Sequence, residues 1–160
     1  MPRLETLSEI NRKSMLSFPC IEPDGTPWSP LRKPLSQAKL ALVTSAGIHL
    51  RDDKPFIGDP KGADSSYRVI PSTAKAADIL QSHVSIGFDH TAIMRDINVT
   101  LPIDRVREMV DGGIIGSLAR NYYSFMGAIR NPTPLIETTG PEVAQRLQDE
   151  GVDLVFITPT

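Results

Sequence analysis

The pattern of apolar and polar positions predicts an alternation of strands and helices along the chain. Nearly continuous apolar runs at residues 40–44, 67–71, 114–118 and 152–157 are typical of buried strands. An alternating run at 81–89 predicts a strand with one exposed side. Apolar residues at helical spacing predict helices at 4–16, 103–110 and 140–149. In the first helix we expect Ser8 as the cap and Ile10, Met15 and Leu16 as inward residues.

The final segment, residues 140–160, dominates this pattern. Pro141 suits the start of a helix, and Gly151 is a natural left-handed cap for its end. Residues 152–157 predict a strand buried on both faces, and Thr158 opens the turn after it. Open α/β sheets bind ligands just beyond the carboxyl ends of their strands. Because no helix follows this strand to cover it, we also expect exposed apolar surface there, and therefore an incomplete domain.

The alternation of strands and helices over the last hundred residues predicts an α/β fold. We expect a partial doubly wound, mainly parallel sheet with flanking helices. Five prolines within residues 18–34 predict an extended arm, with Trp28 anchored in a hydrophobic slot. The predicted organisation is therefore an amino-terminal helix and proline-rich arm at 1–36 and an α/β domain at 37–160, incomplete at its carboxyl end.

Composition removes several classes of function. The chain has 160 residues, a formal net charge of -2 and no basic stripe, which argues against a nucleic-acid partner. No apolar run is long enough to cross a membrane, and the polar start lacks a signal-peptide core, so we expect a cytoplasmic protein. The single cysteine, Cys20, predicts no internal disulfide and is expected as a small buried hydrophobe. Spacings typical of metal ligands are absent, so we expect no metal site.

Candidate chemistry first gathers around His83, Ser85 and Asp89, which share one side of the alternating strand. Side chains two residues apart on a strand lie about 7 Å from each other, which is too far for a direct serine–histidine hydrogen bond. A serine-hydrolase triad is therefore not supported. Two interpretations of His83 and Asp89 stay open: they satisfy backbone groups at a loop mouth, or they line the cleft and orient a charged substrate. Tyr122 and Tyr123 divide in the same way between core and binding site.

Several stretches carry a more specific signal, and they keep one order over nearly the whole chain. They are residues 18–20 with 26–28, 41–49, 66–71, 82–89, 96–105, 123–128 and 151–159. Together they resemble the family of glycine/sarcosine/betaine reductase component B and D-proline reductase selenoprotein subunits. The resemblance indicates the family and not one particular substrate.

The resemblance implies an oxidoreductase that cleaves a C–N bond of an amino acid or amine, with a dithiol as electron source and a disulfide as its product. A pyruvoyl group on a partner subunit holds the substrate amine in this family. A selenolate or thiolate attacks the carbon that bears the nitrogen, and a nearby cysteine resolves the product. Other reductase subunits are therefore the implied partners, and a homo-oligomer stays open.

The family's nucleophile follows the final strand in a Sec/Cys-x-x-Cys-like motif, just after Thr160 here. Only a selenolate or thiolate attacks, and Cys20 lies on the arm, so whether this chain is itself an enzyme stays open. We expect a UGA codon for selenocysteine after Thr160, with a short paralogue or a split gene as alternatives. The positions that match the cleft border in the family, without acid or base roles, are Thr44, Ser45, His83, Asp89, Tyr123 and Thr158.

Two other classes of function compete with a reductase. A non-catalytic interaction module would use the exposed strand edge and the proline-rich arm to join a complex. A small-molecule-binding α/β domain similar to the amino-acid racemases shares the layout of a strand followed by a cysteine, and it also requires a cysteine after Thr158. A thiol or selenol in the continued reading frame would favour the reductase. A stable monomer of 160 residues would favour the interaction module.

Overall fold

The computed structural model describes residues 3–17, 25–26, 29–56, 64–83 and 90–159. These residues form an α/β fold, as predicted. The helices and strands are α1 Glu9–Leu16, β1 Lys39–Thr44, β2 Ile48–Leu50, β3 Tyr67–Pro71, β4 Ile79–Gln81, α2 His90–Arg95, α3 Ile103–Asp111, β5 Ser117–Leu118, β6 Asn121–Phe125, α4 Gly140–Asp149 and β7 Leu154–Thr158. Short 3₁₀ turns lie at Leu4–Thr6, Leu35–Gln37, Ala76–Asp78 and Ile97–Val99, and a π-helical turn at Leu135–Thr139 leads into α4.

Strand β1 is the centre of the main sheet. On one edge it pairs in parallel with β7 along its length, from Leu40 opposite Leu154 to Thr44 opposite Thr158. On its other edge, β5 pairs with its first residues and β6 with its last, again in parallel. Strand β3 then pairs with β6 in the antiparallel direction, and β2 and β4 form a separate antiparallel pair. The sheet is therefore mixed, and the doubly wound, mainly parallel arrangement stays a prediction.

Helices α3 and α4 pack on opposite faces of this sheet. Neighbouring residues of a strand point to opposite faces, so Tyr122 and Tyr123 of β6 mark the two sides. Thr44, which lies on the same face as Tyr122, donates to the carbonyl of Thr100 in the turn before α3. Arg146 of α4 instead lies over the ring of Tyr67, which packs edge-to-face on Tyr123. Both tyrosines of β6 are buried.

The first helix shows where a local signal succeeds and a packing prediction fails. Ser8 caps α1, and its Oγ accepts a hydrogen bond from the Asn11 N–H at 3.3 Å, as predicted. The prediction that Ile10, Met15 and Leu16 pack inward is wrong, because all three side chains are exposed. Capping depends only on neighbours in sequence, whereas burial needs a second element, and α1 has no buried residue among those described.

The closing strand forms as predicted, but it is not buried on both faces. The side chains of Phe156 and Ile157 are 51% and 63% exposed. Their register places Phe156 on the face of Leu42 and Ile157 on the face of Val43, so both faces of the strand are open. The reason is that β7 pairs with β1 alone among the described strands. The expected exposure of apolar surface at this strand is thus confirmed.

Other predictions are shortened or lie outside the described residues. The strand expected at 114–118 is reduced to β5. Residues 18–24 and 27–28 of the proline-rich arm, which include Cys20 and Trp28, lie outside the described residues. So do residues 84–89 of the strand predicted at 81–89. The domain division stays a prediction. No helix in the described part of the chain is long and apolar enough to cross a membrane.

Candidate functional site

Three threonines join the carboxyl ends of β1 and β7 to the turn before α3, and we call them the threonine cluster: Thr44, Thr100 and Thr158. The Thr100 carbonyl accepts hydrogen bonds from both other hydroxyls, at 3.0 Å from Thr44 Oγ1 and 2.6 Å from Thr158 Oγ1. Thr44 Oγ1 in turn accepts a hydrogen bond from the Ala46 N–H at 3.2 Å. The Thr158 carbonyl accepts from the Ser45 N–H at 3.3 Å. The end of β7 is therefore fixed by both its hydroxyl and its carbonyl.

A local polar network sets the direction of the Thr100 carbonyl. Asp96 caps the 3₁₀ turn before Thr100, and its Oδ1 accepts from the backbone and side-chain N–H groups of Asn98 at 2.9 and 2.8 Å. These hydrogen bonds lower the pKa of Asp96 below its ordinary value. Asn98 Oδ1 then accepts from the Asp104 N–H at 2.9 Å, which ties the turn to the start of α3. The Thr100 carbonyl is thus oriented by hydrogen bonds of Asp96 and Asn98, which lie outside the sheet.

The turn after β1 requires a glycine and leads to the second strand pair. Gly47 has φ +62, and a Cβ there would lie 3.2 Å from the backbone of His83 and from Met126 Sδ. The next N–H, of Ile48, donates to Ser124 Oγ at 2.9 Å inside the core. His83 therefore packs closely against the turn that follows β1. This close packing leaves room only for small residues at the turn.

His83 lies buried beside that turn. Its backbone approaches Gly47 closely, and the preceding Ser82 N–H donates to the Gly47 carbonyl at 2.9 Å. Burial, together with the neighbouring charge of His90, lowers the pKa of His83 below its ordinary value. The ring is therefore kept neutral near pH 7. This environment fits both open interpretations, a satisfied histidine at a loop mouth and a neutral group beside a cleft.

The structure brings together some of the predicted site residues and separates others. Thr44, Ser45 and Thr158 meet at one edge through the hydrogen bonds above. Tyr123 lies on the opposite face of the sheet from Thr44, is buried against Tyr67, and has a pKa raised by that burial. Asp89 lies outside the described residues. The role of each as a cleft residue stays a prediction.

Sequence reasoning missed Thr100, the residue that connects the cluster. It lies between a 3₁₀ turn and α3, in a stretch with no hydrophobic period. Only its carbonyl takes part in the cluster. Every residue has a backbone carbonyl, so the residue type at this position does not indicate the role. The capping pair formed by Asp96 and Asn98 was the one available signal that this turn is rigid.

The cluster can position a chain but does not supply reactive groups. The Thr44 and Thr158 hydroxyls donate to a carbonyl, so neither is paired with a base that would activate it. Among the described residues, no group of three or more His, Cys, Asp or Glu side chains could hold a metal ion. The one cysteine of the sequence lies outside them.

Comparison with known proteins gives the same family as the sequence stretches above. The profile of the family "Glycine/sarcosine/betaine reductase selenoprotein B" matches residues 12–160. The chain belongs to this family. It is similar to the D-proline reductase subunit gamma of Acetoanaerobium sticklandii, with 40% identity over 131 residues, which cover 82% of this chain and 52% of that protein.

Two further relatives are more distant. The glycine reductase complex component B subunit gamma of Carboxydothermus hydrogenoformans is 32% identical over 146 residues, covering 86% of this chain and 31% of that protein. The sarcosine reductase complex component B subunit beta of Peptoclostridium acidaminophilum is 28% identical over 138 residues, with 86% and 31% covered. The chain thus spans about half of the first relative and a third of these two. No solved structure matches it.

Proposed function

We propose that the chain is a subunit, or the amino-terminal part of a subunit, of a reductase complex of the glycine/sarcosine/betaine/D-proline type. Its membership of the family over residues 12–160 carries this proposal. The relatives are named as subunits of reductases or of reductase complexes, so other reductase subunits are the proposed partners. We expect a cytoplasmic location, because a dithiol donor needs a reducing compartment.

The proposed reaction is the two-electron reduction of a C–N bond in a small amino acid or amine. A dithiol gives two electrons and two protons and becomes a disulfide, while the carbon and the nitrogen each gain a hydrogen. The attacking group is a selenocysteine or cysteine in residues that follow Thr160, as in the resembled family. A pyruvoyl group on a partner subunit supplies a carbonyl that binds the substrate amine.

The threonine cluster supports this position for the attacking group. Thr158 is fixed through its hydroxyl to Thr100 and through its carbonyl to Ser45, so the backbone that leaves β7 starts from a rigid point. That point lies at the carboxyl ends of β1 and β7, where open α/β sheets place their ligands. In this proposal the cluster aims the following residues without taking part in proton transfer.

The open edge of β7 supports a larger sheet in the complete protein. A partner strand on this edge, with a helix on each face, would cover Phe156 and Ile157 and give the doubly wound arrangement. The length of the relatives leaves room for such elements, since 131 aligned residues are 52% of the first relative. We also propose that the proline-rich segment before the α/β domain forms an extended arm in the complete protein.

The coding sequence after the codon of Thr160 tests the proposal directly. We expect a UGA codon, or a cysteine codon, followed in frame by a further cysteine within a few codons. An intact mass of the native protein would then exceed that of the 160 residues. An unrelated frame with no cysteine, together with a native mass equal to the 160-residue chain, would overturn the proposal.

A second candidate is a non-catalytic interaction module, which the exposed Phe156 and Ile157 favour. Such a module would join its complex by adding a partner strand to the free edge of β7. It needs no thiol after Thr160. Co-purification of the 160-residue protein with other reductase subunits, without any gain of activity when the frame is extended, would support the module and exclude the reductase.

A further inference from the structure

A cavity of about 520 Å³ lies between β4 and α2, outside the threonine cluster. Its inner wall includes Ile79, Ile93 and Ile97, all three of which are buried. The volume falls within the range of about 300–1,000 Å³ that small-molecule sites occupy, and an apolar wall with a few polar groups is their usual composition. The cavity therefore has the size and the lining of a binding site for a compact ligand.

The polar groups of the cavity favour an anion. His90 Nδ1 donates to Gln81 Oε1 at 3.0 Å, which links α2 to β4 across the cavity. Arg95, at the last position of α2, also lines it, and no described residue forms an ion pair or hydrogen bond with its guanidinium. The described lining residues include no Asp or Glu. Arg95 is exposed at the edge of the apolar cavity, and a guanidinium with no carboxylate partner in the described part of the chain fits a ligand that brings the carboxylate itself.

Two short links place the cavity beside the carboxyl ends of β1 and β7. Gln81 Nε2 donates to the Ala46 carbonyl at 3.3 Å, and the Ala46 N–H donates to Thr44 Oγ1. Ile97, in the cavity wall, begins the 3₁₀ turn Ile97–Val99, and the N–H of Thr100 directly after it donates to the Ile97 carbonyl at 3.0 Å. Gln81 and Ile97 therefore connect the cavity to the threonine cluster. A ligand in the cavity would lie next to the edge of the sheet where β7 ends.

We propose that this cavity binds the carboxylate of a small amino acid or N-alkyl amino acid. Arg95 holds the carboxylate, and the apolar body of the ligand lies against Ile79, Ile93 and Ile97. Glycine, sarcosine, betaine and D-proline all carry a carboxylate and differ in the groups on nitrogen and, for D-proline, in the ring carbon on Cα, so one cationic anchor serves the whole class. This identification of the ligand as a substrate rests on the proposed function, whereas the binding itself can be measured without turnover.

The test is a titration of the ¹⁵N-labelled protein with D-proline, followed by amide chemical shifts, with D-prolinamide as the matched ligand that lacks the carboxylate. We expect D-proline to shift amides of β4, α2 and the turn at Ile97–Val99, and D-prolinamide to bind much more weakly. Arg95→Gln should weaken D-proline binding about tenfold or more, because a hydrogen-bonded charge pair is lost. Arg105→Gln is the control, since Arg105 pairs with Glu108 on α3 and does not line the cavity.

Each result decides one of the two proposals. Equal binding of D-proline and D-prolinamide, unchanged binding in Arg95→Gln, or no shifts at the cavity would overturn the carboxylate site. If the site failed while the extended protein in its complex still reduced an amino acid, the proposed function would stand without it. If D-proline bound as expected while the extended complex stayed inactive, the site would stand and the reductase would fall.

Discussion

Strands β1 and β7 are similar apolar runs that end in a threonine, yet one is buried and the other is open. Leu42 in the middle of β1 is fully buried between partners on both edges. Phe156, its partner in β7, is 51% exposed on an edge with no further described strand. An apolar run therefore specifies a strand, while the neighbours decide how much of it is buried. The free edge of β7 is the place where the fold is open to addition.

The largest expected contrast comes from shortening the paired side chains. Leu42→Ala should lower the free energy of unfolding by about 2–5 kcal/mol, because it leaves a cavity in a closed core. Phe156→Ala should lower it by only about 1 kcal/mol, since half of that ring already contacts water. Urea unfolding of the two variants measures both values. Equal losses would mean that β7 is as enclosed as β1.

The hydroxyls at the ends of the two strands should differ by less. Thr44→Val removes a buried donor and the acceptor for the Ala46 N–H, and should cost about 1–3 kcal/mol in unfolding free energy. Thr158→Val should cost about 1 kcal/mol, because its hydroxyl is only partly buried.

The double variant Thr44→Val/Thr158→Val tests whether the two hydroxyls act through one shared acceptor or form two independent hydrogen bonds. We expect its loss to exceed the sum of the single losses, since the Thr100 carbonyl then keeps neither hydroxyl donor. A strictly additive double variant would show that the two threonines do not act through one carbonyl.

The turns after the two strands differ in their response to pH. The turn after β1 packs against His83, whose pKa lies below 6.5 because of burial, whereas β7 is followed by Pro159. The unfolded chain takes up the proton first, so the stability due to His83 is complete above pH 6.5 and declines as the pH falls from there towards the folded pKa. Urea midpoints measured from about pH 8 down to about pH 5 should show this decline.

His83→Gln is the control for that pH dependence and should flatten the decline in the same window. The carboxyls of Asp96, Glu142 and Asp153 have lowered pKa values, so their contributions are lost only at more acidic pH. A decline that persisted unchanged in His83→Gln would assign it to another group.

The smallest expected effect on stability is at the free edge itself. Replacing Ile157 alone with serine should change the unfolding free energy by less than about 1 kcal/mol, because 63% of this side chain is already exposed. It should reduce the binding of a hydrophobic dye and any self-association, since the exposed apolar patch becomes smaller. Light scattering and dye fluorescence of the variant and the parent measure this. Unchanged dye binding would place the exposed apolar surface elsewhere.

The sequence predicts elements whose causes are local. The cap at Ser8, the left-handed Gly151, and the runs that become β1 and β3 depend on neighbouring residues or on a strong hydrophobic period. Burial of α1 and of β7 could not be predicted, because it depends on whether another element covers them. The same limit explains why an antiparallel β3 was not foreseen.

The candidate site was predictable in part. Thr44, Ser45 and Thr158 were predicted from the family resemblance, and the structure brings them together at the carboxyl ends of β1 and β7, while their role in a cleft stays a prediction. Thr100 acts through its backbone, so residue type gives no indication of it. Arg95 and the cavity depend on the packing of α2 against β4, two elements that the sequence pattern does not bring together.

The most direct test is to measure dithiol-dependent turnover for the 160-residue protein and for a protein extended in frame past Thr160. Both proteins would be mixed with the proposed pyruvoyl-bearing partner subunit, dithiothreitol and an amino acid such as D-proline or sarcosine. We predict no reduced product from the 160-residue chain, and product in step with dithiol oxidation from the protein that carries a selenocysteine or cysteine after Thr160. Product formation by the 160-residue chain would contradict a nucleophile held beyond β7.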